Sequence, residues 1–202
     1  MTKNLIIVFV RNPELGKVKT RLSKTIGDQG ALKTYILLLK HTESVLHKVS
    51  SEKVVYYSEK IQKNDLWNDA RYQKKLQKGV DLGARMQNAF DTAFKDSYEK
   101  VVIVGSDLFD LRASHIENAF KYLENYDVVL GPSLDGGYYL LGMKKLHSAV
   151  FKNKQWGTDT VFGSTIKNLN QQNVKLLEAL NDIDTFEDLQ EQPELLKKIK
   201  KL

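Results

Sequence analysis

Apolar positions along the chain follow two alternating patterns. Leu5-Ile6-Ile7-Val8-Phe9-Val10 is a continuous apolar run, as expected of a strand buried on both faces. Short runs at 53–58, 100–105, 127–132 and 137–143 read as further strands. Between the runs, apolar residues recur at three- and four-residue spacing, as in Tyr35, Leu38, Leu39, Thr42, Val45, Leu46 and Val49. A second stripe joins Leu82, Met86, Ala89, Phe90 and Ala93, so helices are predicted over 31–49, 81–94 and 113–123. Residues 61–77 are polar and lack a clear period; they read as a helix and a short edge strand. The alternation predicts an α/β fold with three layers, α/β/α, around a mostly parallel mixed sheet. The close spacing of the last two runs brings in an antiparallel element. No repeat, low-complexity tract or linker divides the chain, so residues 1–202 are expected to form one domain.

Composition narrows the classes of function. Hydrophobic residues make up 42% and charged residues 28%, as in ordinary globular proteins, and no apolar run is long enough to span a bilayer. The run at 5–10 has no small-residue cleavage site behind it, so a cytoplasmic protein without a membrane partner is expected. There is no cysteine, and His41, His47, His115 and His147 lack zinc-type spacing. The net charge of +6 raises the question of nucleic acid. Much of the excess sits in Lys197-Lys198-Ile199-Lys200-Lys201, which reads as a solvated helix end, and no aromatic-interleaved basic stretch is present. Nucleic acid is not an expected partner.

In sheets of this kind, ligands bind beyond the carboxyl ends of the strands, so the segments after each strand carry the chemistry. The first is cationic, with Arg11, Lys17, Lys19 and Arg21 around Pro13 and Gly16. The second is Gly105-Ser106-Asp107 and the third Gly131-Pro132-Ser133-Leu134-Asp135-Gly136-Gly137. Cations opposite a carboxylate suit a metal-bound diphosphate: Lys and Arg hold phosphate oxygens while the carboxylate holds Mg²⁺. Each part has a plainer alternative. Lys17 and Lys19 fit a solvated loop, Arg21 a helix-start ion pair, Asp107 a helix cap and Asp135-Gly136-Gly137 a hairpin turn. Trp156 fits a sugar-stacking wall or a core plug equally. Thr185-Phe186-Glu187-Asp188 reads as a capping box.

Together these segments resemble a known family. Pro13-x-x-Gly16-x-Val18-Lys19-Thr20-Arg21-Leu22, Gly105-Ser106-Asp107, Gly131-Pro132-x-x-Asp135-Gly136-Gly137-Tyr138-Tyr139-Leu140-x-Gly142, Trp156-Gly157-Thr158 and Asp182-Ile183-Asp184-Thr185-x-Glu187-Asp188-Leu189 occur in family order. They resemble the small bacterial nucleotide-diphospho-sugar-transferase-like proteins of GT-A fold. Members carry the labels glycosyltransferase of arsenosugar biosynthesis or selenodomain-associated transferase. More distantly, the chain is similar to the molybdenum-cofactor and phospholactate guanylyltransferases.

The resemblance implies roles only where residues match. It makes Asp107 a metal ligand, Asp182 or Asp184 a second one, and Mg²⁺ or Mn²⁺ the cation. It makes Lys19 and Arg21 phosphate-binding cations, with Arg11, Lys17, Gly105, Ser106, Gly136, Gly137 and Trp156 as further substrate-binding positions. Two departures stand out. Arg11 replaces the usual lysine, and Leu108-Phe109 replaces a small residue and proline. The implied activity is transfer from a nucleotide-activated donor to a small-molecule acceptor. Glycosyl transfer from a nucleotide sugar is favoured, with Asp135 taking the acceptor proton. Transfer of a nucleotide from a nucleoside triphosphate to a phosphorylated small molecule, with release of pyrophosphate, is the runner-up, and a non-catalytic nucleotide-sugar-binding protein the third reading. Base, sugar, acceptor and oligomeric state are not encoded in any recognisable pattern.

Overall fold

The first apolar run forms β1 (Asn4–Val10), whose Ile6, Ile7 and Val8 are wholly buried. In this computed structural model, which describes residues 3–200, the chain continues through α1 (Thr20–His47), β2 (Glu52–Tyr57), β3 (Gln73–Leu76) and α2 (Leu82–Lys95). It then runs through β4 (Lys100–Val104), α3 (Ala113–Tyr122), β5 (Val128–Pro132) and β6 (Tyr138–Met143). A 3₁₀ turn at Ser148–Phe151, α4 (Val161–Asn168), β7 (Val174–Leu176), α5 (Phe186–Gln190) and α6 (Pro193–Lys200) complete the described residues.

One seven-stranded sheet has the order β3-β2-β1-β4-β6-β5-β7. β6 lies antiparallel to β4 and β5, and the other neighbours run parallel. Because successive side chains on a strand point to opposite faces, Ile6, Val8 and Val10 meet α1 and α3 while Leu5 and Ile7 meet α2, the 3₁₀ turn and α4. The result is the expected three-layer mixed α/β fold. A third cluster, with Leu22, Leu38, Ile183, Leu189 and Leu195, ties α5 and α6 to α1 and so fixes residues 182–188 beside its amino end.

The structure corrects three sequence expectations. α1 starts at Thr20, not at 31, and bends at Gly27 (φ 74°, ψ 164°); its first turns carry no apolar stripe to reveal them. Residues 61–72 hold no helix: irregular chain there buries Trp67 and Tyr72 in the core, and only the edge strand β3 is present. β7 has three residues, too few to show a period. The exposed Lys197 and Lys198 stand on α6, whereas Lys201 lies outside the described residues.

Candidate active site

The loop after β1 ends in an unusual backbone. Lys19 adopts the left-handed region (φ 49°, ψ 46°) immediately before α1, a conformation uncommon for a residue with a side chain and worth about 1 kcal/mol or more of strain. It directs the lysine inward. The side chain is only 6% exposed, and its Nζ lies 3.1 Å from Asp107 Oδ2 and 3.9 Å from Asp184 Oδ1. Arg21, in the first turn of α1, donates to Asp184 Oδ2 at 3.2 Å.

Asp107 follows β4 but caps no helix, since α3 begins at Ala113 with Arg112 before it. Its backbone carbonyl instead accepts the Ile183 N–H at 3.0 Å and tethers the segment that bears Asp182 and Asp184. The capping box at the head of α5 reinforces that tether. Asp188 Oδ2 accepts from the backbone N–H groups of Asp184 (3.1 Å) and Thr185 (2.7 Å), and Thr185 Oγ1 accepts from Asp188 N–H.

Asp107, Asp135 and Asp182 line one cavity of about 240 Å³ at the carboxyl edge of the sheet. Ser133 Oγ donates to Asp182 Oδ1 at 2.9 Å. Burial, with the neighbouring carboxylates of Asp107 and Asp135, pushes the Asp182 carboxyl up to about 6, against the opposing pull of Ser133 and Lys19. Asp135 forms the hairpin turn and also faces the cavity. Its Oδ1 accepts the Gly137 N–H at 2.8 Å and so shapes the hairpin turn, and the same residue lines the cavity. Gly136 (φ 87°) cannot carry a side chain: a Cβ there would lie 2.3 Å from the Asp159 carbonyl oxygen. Its own carbonyl accepts the Phe162 N–H at 2.8 Å, locking the hairpin to the start of α4. Trp156 lines the cavity and packs on the partly buried side of the core beside α2.

The four cations of the first loop separate. Lys17 pairs with Glu14 at 2.8 Å and Glu59 at 3.6 Å, as a solvated loop residue does. Arg11 lines a different cavity, about 320 Å³, between α1 and residues 62–67. Ser106 is buried, 3.4 Å from the Tyr35 hydroxyl, which accepts the Arg11 N–H at 2.8 Å; it braces the loops from behind the cavity. Gly105 and Gly137 line the cavity, and Gly136 packs on residue 159. Asp184 faces Arg21 and Lys19, whereas Asp182 faces the other acids.

Sequence reasoning missed the segment between β3 and α2. Gln77 Nε2 donates to the carbonyls of Val10 (3.1 Å) and Tyr56 (2.9 Å), joining the carboxyl ends of β1 and β2. Asp81 caps α2 through the Ala84 N–H, and Leu82 and Met86 of that helix enter the cavity. The signal was present in Gly79 and Asp81 ahead of the stripe, a glycine turn followed by an N-cap, but its apolar members read as core alone.

Among the described residues, no group of three or more His, Cys, Asp or Glu forms a metal cage by itself. Mg²⁺ commonly takes one or two carboxylates and completes its shell with water and substrate phosphates. The crowded acids here, where burial and then mutual repulsion raise Asp182, fit such a cation.

Known proteins share this architecture. A solved structure from Desulfovibrio desulfuricans G20, provisionally named a nucleotide-diphospho-sugar transferase, is 30% identical, with 98% of this chain and 99% of that one covered at a TM-score of 0.83. The inositol-1-phosphate CTP transferase of T. maritima shares the fold at 19% identity and a TM-score of 0.58, over 99% and 97% of the two chains. The 2-phospho-L-lactate guanylyltransferase of Methanocaldococcus vulcanius is 28% identical over 143 residues, 69% of this chain and 61% of the relative. The chain thus spans about three-fifths of the length of that curated relative. Residues 41–158, which include Asp107, Asp135 and Trp156 but neither Lys19 nor Asp182, match the model of the family described as "Uncharacterized protein conserved in bacteria (DUF2064)". That match covers more than half of the sequence, and the chain belongs to this family.

Proposed function

We propose that the chain is a metal-assisted transferase acting on a nucleotide-activated donor, bound at the carboxyl edge of the sheet. One observation carries the reading: a buried lysine, held in a left-handed backbone, reaches Asp107 at the rim of a cavity lined by three acids. Lys19 would hold diphosphate oxygens through charge-assisted hydrogen bonds, with Arg21 adding charge from the first turn of α1. Asp107 and Asp182 would hold Mg²⁺ or Mn²⁺, which when bound supplies charge neutralisation at the diphosphate. Asp184 positions Lys19 and Arg21 and is the weaker candidate for a ligand. We take residues 1–202 as a single transferase domain of a cytoplasmic protein; among the described residues no helix is long and apolar enough to cross a membrane.

Two kinds of transfer fit these residues. In glycosyl transfer, Lys19 and Arg21 stabilise the departing nucleoside diphosphate, and Asp135 accepts the proton of the attacking hydroxyl. In nucleotidyl transfer, the same cations stabilise charge at the α-phosphate and on departing pyrophosphate. The guanylyltransferase relative favours the second. The cavity favours the first, because none of its lining residues is Lys, Arg or His and a phosphorylated acceptor lacks a clamp there. The purified protein is to be incubated with Mg²⁺ or Mn²⁺, a mixed pool of small alcohols and phosphorylated alcohols, and panels of nucleotide sugars and nucleoside triphosphates. Acceptor-dependent release of nucleoside diphosphate supports glycosyl transfer, and that of pyrophosphate nucleotidyl transfer. Neither product, from nucleotides that nonetheless bind, would leave a non-catalytic binding protein.

A further inference from the structure

The donor contacts proposed above lie at the Lys19 rim of the cavity, and its other walls face the space left for an acceptor. Those walls are of two kinds. Leu82, Met86, Tyr138, Trp156 and Val161 make an apolar side, and Asp135 and Asp182 an acidic one. The indole of Trp156 is fixed in place: a Cβ added to Gly83 would lie 2.5 Å from its ring and 2.6 Å from the Phe151 carbonyl oxygen. A rigid aromatic face of this sort stacks against the C–H face of a hydroxylated ring, an aromatic group or a cation.

We infer that these walls form an acceptor subsite for a small hydroxyl-bearing molecule with one apolar face, uncharged or cationic, and that they turn away phosphorylated acceptors. The inference rests on the transferase reading above and names the substrate class of the same site. Charge decides it. The cavity's three carboxylates meet an incoming anion with no Lys, Arg or His among the lining residues, and Lys19, the cation beside Asp107, is paired with it. A cation held at Asp107 and Asp182 would be satisfied by donor phosphates, so it offers little to a second anion. Size agrees, since about 240 Å³ lies below the usual range for drug-sized ligands and suits one ring. Asp135, with one oxygen engaged by Gly137 and exposed at the cavity wall, stands where an acceptor hydroxyl can share its proton.

The test uses three probes that differ at one position: 1-O-benzylglycerol, its 3-amino analogue and its 3-phosphate. The chain has two tryptophans, so the indole N–H peaks of Trp156 and the core residue Trp67 are readily separated in a ¹H–¹⁵N spectrum. Titrations with Mg²⁺ and a nucleoside diphosphate present should shift the Trp156 peak and leave Trp67 unmoved. The amine and the alcohol should bind about tenfold or more tightly than the phosphate, and Asp135→Asn should shrink the preference for the amine about threefold or more. The inference is overturned if the phosphate binds as tightly as the alcohol, if Asp135→Asn leaves the size of the preference for the amine unchanged, or if no probe moves Trp156 at 10 mM. Thermal shifts with the nucleoside diphosphate on the same samples separate the two claims: lost nucleotide binding with the probe ranking intact ends the donor assignment and leaves the subsite standing.

Discussion

Lys17 and Lys19 are two positions apart and equally cationic, yet their surroundings differ entirely. Lys17 is 58% exposed and answers Glu14 and Glu59, whereas Lys19 is 6% exposed and answers Asp107. Lys19→Ala should therefore lower affinity for a nucleoside diphosphate about ten- to a hundredfold, with a much smaller loss for the bare nucleoside. Lys17→Ala should change either by less than about twofold. Calorimetric titration of both variants with both ligands checks the contrast. Asp182 gives a second prediction. Its carboxyl sits near 6 in the fold against an ordinary value of 3.8, so its contribution to stability is fully present below about 4 and lost as pH rises through 6. Asp182→Asn should consequently raise unfolding stability at pH 7.5, by about 1–2 kcal/mol after allowance for solvent screening, with the gain fading by pH 4. Thermal unfolding of the two proteins across that range measures it. For the same reason, metal affinity should strengthen as pH rises through 6.

The elements that periodicity made legible are those that bury a regular face. β1, β4, α2 and α3 carry continuous runs or stripes because the sheet is covered on both sides, and their bounds lie within a residue or two of the sequence reading. The first turns of α1 were illegible for a physical reason: residues 20–30 contain Leu22, Ile26, Gly27 and Gly30, and only the first two contribute apolar surface. β7 borders the sheet with three residues and half-buried faces, too short to alternate. Turn chemistry was more informative than period, since Thr185 and Asp188 form the capping box expected of them and thereby fix Asp184. Gly83 illustrates a feature that one sequence cannot reveal, namely a close approach between α2 and Trp156. Gly83→Ala should destabilise the protein by about 1–3 kcal/mol and broaden or shift the Trp156 indole signal, whereas Gly163→Ala, with open space around it, should be tolerated. Equal melting temperatures for the two variants would mean that the helix and the indole are not in the contact described.

The whole molecule turns five segments of the chain into one acidic cavity, with Lys19 beside it, on a protein of net charge +6. Parallel strands β1, β4 and β5 end at the same sheet edge, so Lys19, Asp107 and the hairpin bearing Asp135 converge there, and the α5–α6 cluster brings Asp182 to meet them. Sequence order and the carboxyl-edge rule made this convergence foreseeable. Which cation meets which acid was not: Pro13 and Gly16 mark a turn without saying which cation it points inward, and the left-handed backbone at Lys19 leaves no trace in residue type. The central claim is that Lys19 and Asp107 form a metal-assisted diphosphate site. The direct measurement is calorimetric titration of the wild type and Asp107→Asn with UDP and GDP, with and without Mg²⁺, after thermal unfolding has verified that the variant is folded. At least one of the two nucleotides should bind the wild type about tenfold or more tightly with Mg²⁺ than without, and Asp107→Asn should lose that enhancement. The same Mg²⁺ enhancement in both proteins, or no binding of either nucleotide to the wild type, would contradict it.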